Sequence, residues 1–306
     1  MVPAINWYGM MKFNRKVIKI TLTLSGKDES FTSSGQNTLS AIGLRISAEV
    51  NYGNGAIAPH ARIKAYGLPM EVMEKLLRIK WNDIKALRNN VTIEAGEEGE
   101  ELSQVFRGGI TFAYPDMGDV PNVALVIESQ TAVLDKMQGV DAESYEGEHD
   151  VAAIIATICK RMGYTFESNG VSVKVSDPYL HSTDIEKIRQ LAAAANLDLY
   201  IEDKNVAVTR KDHPRLTLKI PVISPETGLI SYPVPTMIGI QFKCFYDPLV
   251  RFGGIVRIAG SQISICNGDW LIYGIRTILE TEQDSAQWFM EVAASRRGDN
   301  YVAIKK

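Results

Sequence analysis

The sequence predicts a mainly β protein that carries one α/β insertion. Toward both ends of the chain, short segments alternate apolar and polar residues, which is the period of a half-buried strand. The 306 residues include 24 glycines and 12 prolines, a composition that favours many short strands joined by turns. Between residues 148 and 215 the apolar residues instead recur at helical spacing. With 45% hydrophobic residues, a chain of this length buries a sizeable core and divides into two or three domains.

Residues 1–130 predict strands and one short helix. The clearest strand is 17–24, whose letters VIKITLTL alternate apolar and polar side chains. A helix is predicted over 68–77, with Pro69 in its first turn, and Asn54-Gly55 suits a type I′ hairpin turn. Further strands are predicted at 44–50, 61–66, 91–95, 102–107, 110–114 and 123–129. Because closure removes the exposed edges of a sheet, this many strands predicts a closed or nearly closed β-barrel.

Residues 147–216 predict a compact helix-hairpin-helix-hairpin domain. Apolar residues follow one face of a helix over 151–162, and Gly163 is placed to end that helix. Thr183 and Glu186 have the spacing of a capping box, which begins a second helix. Two hairpins are predicted, over 164–175 and 197–209. Because this pattern interrupts a β-rich chain, we interpret the domain as an insertion.

The final third returns to strands and predicts a second barrel. Its strands are predicted at 216–220, 239–246, 255–259, 270–279 and 287–294. Five strands are few for a barrel, so we assign the mixed segment 131–144 to it as a sixth strand. The predicted domains are therefore a first barrel over 1–130, a second barrel built from 131–146 plus 217–306, and the inserted α/β domain over 147–216.

One stretch of the second barrel, 224–258, predicts a strand held between two stiff loops. It reads SPETGLISYPVPTMIGIQFKCFYDPLVRFGGIVRI. Proline lacks an amide donor and restricts the residue before it, whereas glycine accepts positive φ and close backbone approach. Between the loops, Ile240, Phe242 and Cys244 are predicted to face the core. The candidate inter-subunit or loop-geometry residues are Pro225, Thr227, Gly228, Pro248, Gly253 and Gly254.

Composition and motifs argue against several classes of function. No apolar run is long enough to span a membrane and the N-terminus does not resemble a signal peptide, so we expect cytosolic synthesis and no membrane insertion. Cys159, Cys244 and Cys266 lie in apolar surroundings and are expected to be reduced core residues. The four histidines are scattered, and no nucleophile elbow, P-loop or zinc-ligand spacing occurs. We therefore predict no enzyme, no catalytic, metal-binding or cofactor-binding residues, and no cofactor.

The charge distribution argues against tight binding of nucleic acid. The net charge is −3, both β-rich ends are close to neutral, and the excess of acidic residues lies in the middle of the chain. A protein that holds nucleic acid usually shows a basic patch interleaved with aromatic residues. A near-neutral surface is instead compatible with DNA sliding past it.

The stretch 224–258 resembles a known family. Its order of Ser-Pro-x-Thr-Gly, prolines, Gly-Ile-x-x-x-Cys, Asp-Pro, Gly-Gly and a strand is similar to the last barrel of the baseplate hub proteins of contractile-tailed phages. The resemblance implies a structural virion protein of the tail baseplate, assembled in the host cytoplasm. It also implies a homotrimer, in which two tube-type barrels per chain form a pseudo-sixfold ring. Such a ring joins the sixfold tail tube protein to the threefold spike protein and forms a channel that DNA crosses without specific binding.

Two alternatives remain open. The hub of a pyocin or another contractile injection system, related to type VI secretion, would have the same architecture. In a different class, a cell-wall-binding or wall-degrading tail protein would act through residues 147–216, because some hubs carry a small domain there that is similar to wall-binding modules. Binding to purified peptidoglycan would separate this second alternative from a purely structural role.

Overall fold

The computed structural model describes residues 14–25, 30–53, 58–77, 89–133, 135–216 and 219–296. The helices are α1 (Met70–Leu76), α2 (Val151–Met162) and α3 (Asp184–Ala194), and Ser264–Cys266 form one 3₁₀ turn. The strands are β1 (Lys16–Thr23), β2 (Thr38–Ile42), β3 (Ile46–Tyr52), β4 (His60–Tyr66), β5 (Asn90–Glu97), β6 (Ser103–Asp116), β7 (Ala124–Gln130), β8 (Glu143–Ser144), β9 (Glu148–Asp150), β10 (Thr165–Glu167), β11 (Lys174–Ser176), β12 (Tyr179–Leu180), β13 (Leu197–Glu202), β14 (Asn205–Arg210), β15 (Val222–Ile223), β16 (Leu229–Pro235), β17 (Gly239–Phe245), β18 (Ile255–Ile258), β19 (Gly268–Thr281) and β20 (Trp288–Ser295). The prediction of a mainly β protein is confirmed.

One large sheet of 13 strands runs through both β-rich parts of the chain. Its strand order is β16-β17-β20-β19-β3-β4-β7-β6-β5-β1-β2, and β18 joins it beside β19 with β15 attached. The two parts meet where β19 pairs antiparallel with β3, with Ile275 opposite Tyr52 and Thr281 opposite Ile46. Among the described residues no ladder connects β16 back to β2. The prediction of two closed barrels is therefore wrong, because β3 and β19 join the two parts into one sheet whose end strands, β16 and β2, do not pair.

Alternation along the strands places the core as the sequence predicts. On β1, Ile18, Ile20 and Leu22 are buried, whereas the intervening residues are partly exposed. These side chains belong to a first apolar cluster, which includes Met73 and Leu76 of α1. A second cluster lies under β17, β19 and β20 and contains Ile240, Phe242, Cys244 and Val292. All three cysteines are free and buried, as expected from their apolar surroundings.

The helices of the inserted segment begin and end where local signals predict. The Asp150 carboxylate accepts a hydrogen bond from the Ala153 N–H (3.0 Å) at the start of α2. Gly163 ends α2 with φ +71°, a conformation that glycine adopts without strain. The Thr183 hydroxyl accepts from the Glu186 N–H (3.3 Å) at the start of α3. Both helices bury apolar faces in a third cluster together with β13 and β14.

Strand pairing in the inserted segment differs in part from the prediction. β13 and β14 form the expected antiparallel pair. The other predicted hairpin, over 164–175, is wrong, because β10 pairs in parallel with β14 and β11 pairs with β9. Asn169 and Gly170, between β10 and β11, both have positive φ and form a turn, but the two strands that flank it do not pair with each other.

Several other predictions need correction. The described residues of 131–144 are mostly turns, and the short strand β8 among them pairs with β12 of the insertion. The predicted strands 102–107 and 110–114 are one strand, β6, with a bulge. Of 216–220, the described residues are not strand, and 217–218 lie outside the described residues. The predicted turn at Asn54-Gly55 also lies outside the described residues.

Candidate assembly surface

A five-residue turn at 224–228 connects β15 to β16 and contains three of the predicted loop residues. The Thr227 hydroxyl donates to the Val222 carbonyl (2.7 Å) and accepts from the Ser224 N–H (2.8 Å). Gly228 has φ +113°, and its carbonyl accepts from the Phe245 N–H (2.9 Å) on β17. Within the chain, Thr227 and Gly228 therefore fix the turn that leads from β15, which pairs with β18, to the end strand β16.

The two prolines of the prediction lie on exposed turns. Pro225 is exposed in the 224–228 turn. A Cβ at Gly260, which has φ +69°, would lie 3.2 Å from the Cδ of Pro225. Pro248 is exposed directly after β17, in a turn where the Val250 N–H donates to the Asp247 carbonyl (3.0 Å). Both prolines present rigid surface to the solvent.

Gly253 lies at the contact between the inserted segment and the second β-rich part. Its φ is +76°, and a Cβ there would lie 2.5 Å from the Tyr200 ring of β13. The Tyr200 ring also packs edge-on against Phe252, with centroids 5.1 Å apart. At the neighbouring Gly254 a Cβ would meet the Arg251 carbonyl oxygen at 3.0 Å. Only a glycine at 253 allows β13 to approach this closely.

A buried arginine joins the same contact and was not predicted. Arg215 is 3% exposed and lies near the C-terminal end of the inserted segment. Its Nη1 donates to Glu202 (2.7 Å) and to the Phe252 carbonyl (3.2 Å), and its Nη2 donates to Glu167 (3.0 Å). Although burial acts in the opposite direction, the two carboxylates raise the pKa of Arg215 above its usual value. No local pattern signals this role, because the partners come from distant parts of the chain.

Asp203 attaches the insertion to the first β-rich part. It occupies the tight turn between β13 and β14, with φ +49°. Its carboxylate accepts from the Arg107 N–H (2.9 Å) and from the Gln104 side-chain amide, both on β6. Burial, reinforced by the charge of Glu202, raises the pKa of Asp203 to about 6. The insertion therefore contacts both β-rich parts through hydrogen bonds of charged side chains, from Arg215 to the Phe252 carbonyl and from β6 to Asp203.

The solvent-facing side of the sheet carries cross-strand ion pairs. Arg276 on β19 lies 2.8 Å from Glu49 on β3 and 3.1 Å from Glu291 on β20. Lys19 on β1 pairs with Glu94 on β5 at 2.7 Å. These side chains are between about one-quarter and one-half exposed. Because the charges alternate in sign across neighbouring strands, this side of the sheet presents no field of one sign.

One end of the sheet exposes an apolar surface on β16 and the 3₁₀ turn, and neither of these elements contains a charged residue. The hairpin of β16 and β17 ends at Met237, whose side chain is fully exposed. The 3₁₀ turn packs beside it, and the Cys266 Sγ lies 3.7 Å from the Pro233 carbonyl. We call this surface the apolar edge; its exposed members are Ile230, Tyr232, Val234, Met237, Ile238, Ile263 and Ile265. Contiguous exposed apolar residues of this kind mark interaction sites in folded proteins.

The described residues form no arrangement of the kind that metal-dependent catalysis uses. No group of three or more His, Cys, Asp or Glu side chains within them is placed to hold a metal ion. Burial raises the pKa of the Cys244 thiol to about 12, so it is not a thiolate nucleophile at neutral pH. Nor does this part of the chain contain a helix with the length and hydropathy of a membrane span.

A comparison with protein families decides what kind of molecule this is. The family model described as "Baseplate hub gp41" matches residues 17–292, which is nearly the whole chain. The chain belongs to this baseplate hub family. The resemblance found in 224–258 is thus confirmed, and the protein is a structural component of a phage tail. No curated protein sequence matches the hub significantly.

Solved structures with a similar fold are tail and secretion proteins. The 43 kDa tail protein of prophage MuSo2 from Shewanella oneidensis has a TM-score of 0.60 at 10% identity, over 92% of this chain and 97% of that one. A tail protein from Neisseria meningitidis has a TM-score of 0.59 at 7% identity, over 91% and 96%. The Escherichia coli c3393 protein, a type VI secretion component, has a TM-score of 0.54 at 8% identity, over 83% and 75%. At these identities the similarity is one of fold.

Proposed function

We propose that the protein is the central hub of a phage baseplate, where a homotrimer joins the sixfold tail tube to the threefold spike. The hub is a structural protein without enzymatic activity and is assembled in the host cytoplasm before it enters the virion. The observation that carries this proposal is the family match over residues 17–292. The apolar edge supports the assembly, since exposed apolar residues are frequent and charged residues are depleted at the core of a protein interface.

The sheet supports a second part of the proposal, a channel for DNA. DNA carries a dense line of negative charge and binds strongly to any uncompensated basic surface. On the solvent-facing side of this sheet, Arg276 and Lys19 are each paired with a carboxylate on a neighbouring strand. A ring lined by such pairs would let DNA pass without holding it.

The domain division and the loop residues belong to the same proposal. We assign 1–130 to one tube domain, 131–146 plus 217–306 to the second and 147–216 to the insertion. The three apolar clusters support this division, although β8, the strand found among the described residues of 131–146, pairs with the insertion. The exposed turns at Pro225 and Pro248 would contact a neighbouring subunit or the spike.

Analytical ultracentrifugation tests the proposed assembly. At micromolar concentration we expect a homotrimer, formed either by the hub alone or after addition of its spike protein. A species that remains monomeric under both conditions would contradict the hub proposal. A peptidoglycan pulldown run in parallel should recover no hub, whereas strong retention would favour a wall-binding role for residues 147–216.

A second candidate function is the hub of a contractile injection system. The fold similarity to the type VI secretion component from Escherichia coli favours it. Mass spectrometry of purified particles separates the two: a phage hub is recovered with DNA-filled capsids, and an injection-system hub with tails that lack capsids.

A further inference from the structure

Two long stretches of this chain contain no charged residue. Asp, Glu, Lys and Arg make up 23% of the sequence. The two longest stretches without any of them are 227–242 and 30–44. Although the two stretches are far apart in sequence, they have one structural feature in common.

Each charge-free stretch contains one of the two end strands of the large sheet. The stretch 227–242 contains β16, the first strand in the sheet order, and 30–44 contains β2, the last strand. The strands between them carry the cross-strand ion pairs of the solvent-facing side. The chain therefore keeps charge on the middle of the sheet and removes it from both edges.

An uncharged edge is unusual for a protein that stays monomeric. The outer edge of an end strand has unpaired N–H and C=O groups that can pair with another chain, and soluble proteins normally block it with charges, prolines or bulges. On β2, Thr38, Ser40 and Ile42 are exposed and none of these blocking devices is present. Ile42 is 56% exposed. Within the described part of the chain, the outer side of the β2 edge, residues Thr38–Ile42, thus pairs with no other strand and can receive a partner.

At the opposite end of the sheet, β16 blocks the addition of another strand, but its exposed side chains can still pack against a partner. In β16, Pro233 and Pro235 lack amide donors, and two irregularities shift its register against β17. The side chains of the apolar edge nevertheless remain exposed, with Val234 61% exposed. Contact at this edge would therefore rely on apolar side chains more than on a continuous ladder of hydrogen bonds.

We propose that the apolar edge of one copy packs against the β2 edge of the next copy. Every copy has one edge of each kind, so head-to-tail contact covers both edges of every copy. A contact between two different surfaces closes into a ring when the rotation from one copy to the next is an exact fraction of a full turn. This inference rests on the proposed homotrimer and identifies the surfaces that form it. A different tail protein covering either edge is the competing outcome of the test.

Charge placed on either edge tests whether these surfaces form the contact. Val234→Glu and Ile42→Glu each put a carboxylate on an exposed position, so the fold should tolerate both, and both proteins should sediment as monomers. Met137→Glu is the matched control, because Met137 is 55% exposed and lies in neither charge-free stretch; it should assemble like the wild type. If Val234→Glu lowers the melting temperature, Met237→Glu replaces it, since Met237 is fully exposed.

Cross-linking tests the direction of the contact. We would mix Ile42→Cys chains with Val234→Cys chains and treat them with a short bismaleimide. The mixture should give a covalent pair containing one chain of each kind, and each variant alone should give none. The native cysteines are buried and should react slowly, which the wild-type chain checks.

The outcomes separate this inference from the proposed function. Trimers that persist in both charge variants would overturn the inference and leave the hub proposal standing. Cross-linking of one variant with itself would replace the head-to-tail contact by a symmetric one. A wild-type chain that stays monomeric with and without the spike would overturn both.

Discussion

The hub uses ion pairs in two regions, and the two sets differ in burial. On the sheet, Arg276 is about half exposed and reaches Glu49 and Glu291 across strands. At the contact between the insertion and the sheet, Arg215 is almost fully buried between Glu202 and Glu167. Exposed pairs contribute roughly 0 to 1 kcal/mol, whereas removal of one partner of a buried pair costs about 3 to 5 kcal/mol. The sheet pairs therefore balance charge, and the buried network holds the insertion in place.

The largest effect is expected for Arg215→Ala. The substitution leaves the Glu202 carboxylate, 15% exposed, without its closest cation, so the free energy of unfolding should fall by about 3 to 5 kcal/mol. Arg251→Ala is the matched control, because Arg251 is 48% exposed and reaches the same carboxylate at 3.6 Å. Its cost should stay below about 1 kcal/mol. Equal losses in urea denaturation would contradict the distinction between the two regions.

Alanine substitutions at two glycines test the close approach of β13 to Gly253 at the contact between the insertion and the sheet. Gly253 and Gly228 both have positive φ, so alanine at either position should cost about 1 to 2 kcal/mol from backbone strain alone. Only at Gly253 would the new Cβ overlap the Tyr200 ring, which should add about 1 to 3 kcal/mol. Thermal denaturation should therefore rank Gly253→Ala as clearly less stable than Gly228→Ala. The reverse order would show that β13 can move away at little cost.

Asp203→Asn should stabilise the hub near neutral pH. Because burial raises the pKa of Asp203 to about 6, the folded chain binds this proton more tightly than the unfolded chain. Its contribution to stability is thus greatest below about pH 4 and declines as the pH rises through 6. Asparagine retains an acceptor for the Arg107 N–H and removes the charge, so the gain at pH 7 should be about 1 to 2 kcal/mol. Unfolding free energies at pH 4 and pH 7 measure it; an unchanged pH slope would mean that Asp203 is well solvated.

The smallest effect is expected for Arg276→Ala on the sheet. The two pairs that it removes are exposed, so the free energy of unfolding should change by less than about 1 kcal/mol. The difference in unfolding free energy between the wild type and Arg276→Ala should also be smaller at high salt than at low salt, because salt screens exposed charges. A loss comparable to that of Arg215→Ala would show that the sheet depends on its surface pairs for stability.

Local signals explain what the sequence predicts correctly. Alternation along β1 and the helical face of α2 are properties of consecutive residues, and so are the predicted helix end at Gly163 and helix start at Thr183. The family resemblance in 224–258 is likewise carried by one continuous stretch, and the family match confirms it.

Pairing between distant strands explains what the sequence does not predict. The β3–β19 ladder, which merges the two parts into one sheet, joins residues more than two hundred positions apart. β16 lies in a proline-rich stretch that predicts a loop, yet an end strand needs amide donors on one side only. Arg215 was missed for a similar reason, since Glu167, Glu202 and Phe252 come from separate elements.

Electron microscopy of the purified hub, with and without its spike protein, tests the central claim most directly. Class averages should show a closed ring with threefold symmetry, or with the pseudo-sixfold appearance that two tube domains per chain would give. Single compact particles without a central opening, in both preparations, would contradict the account.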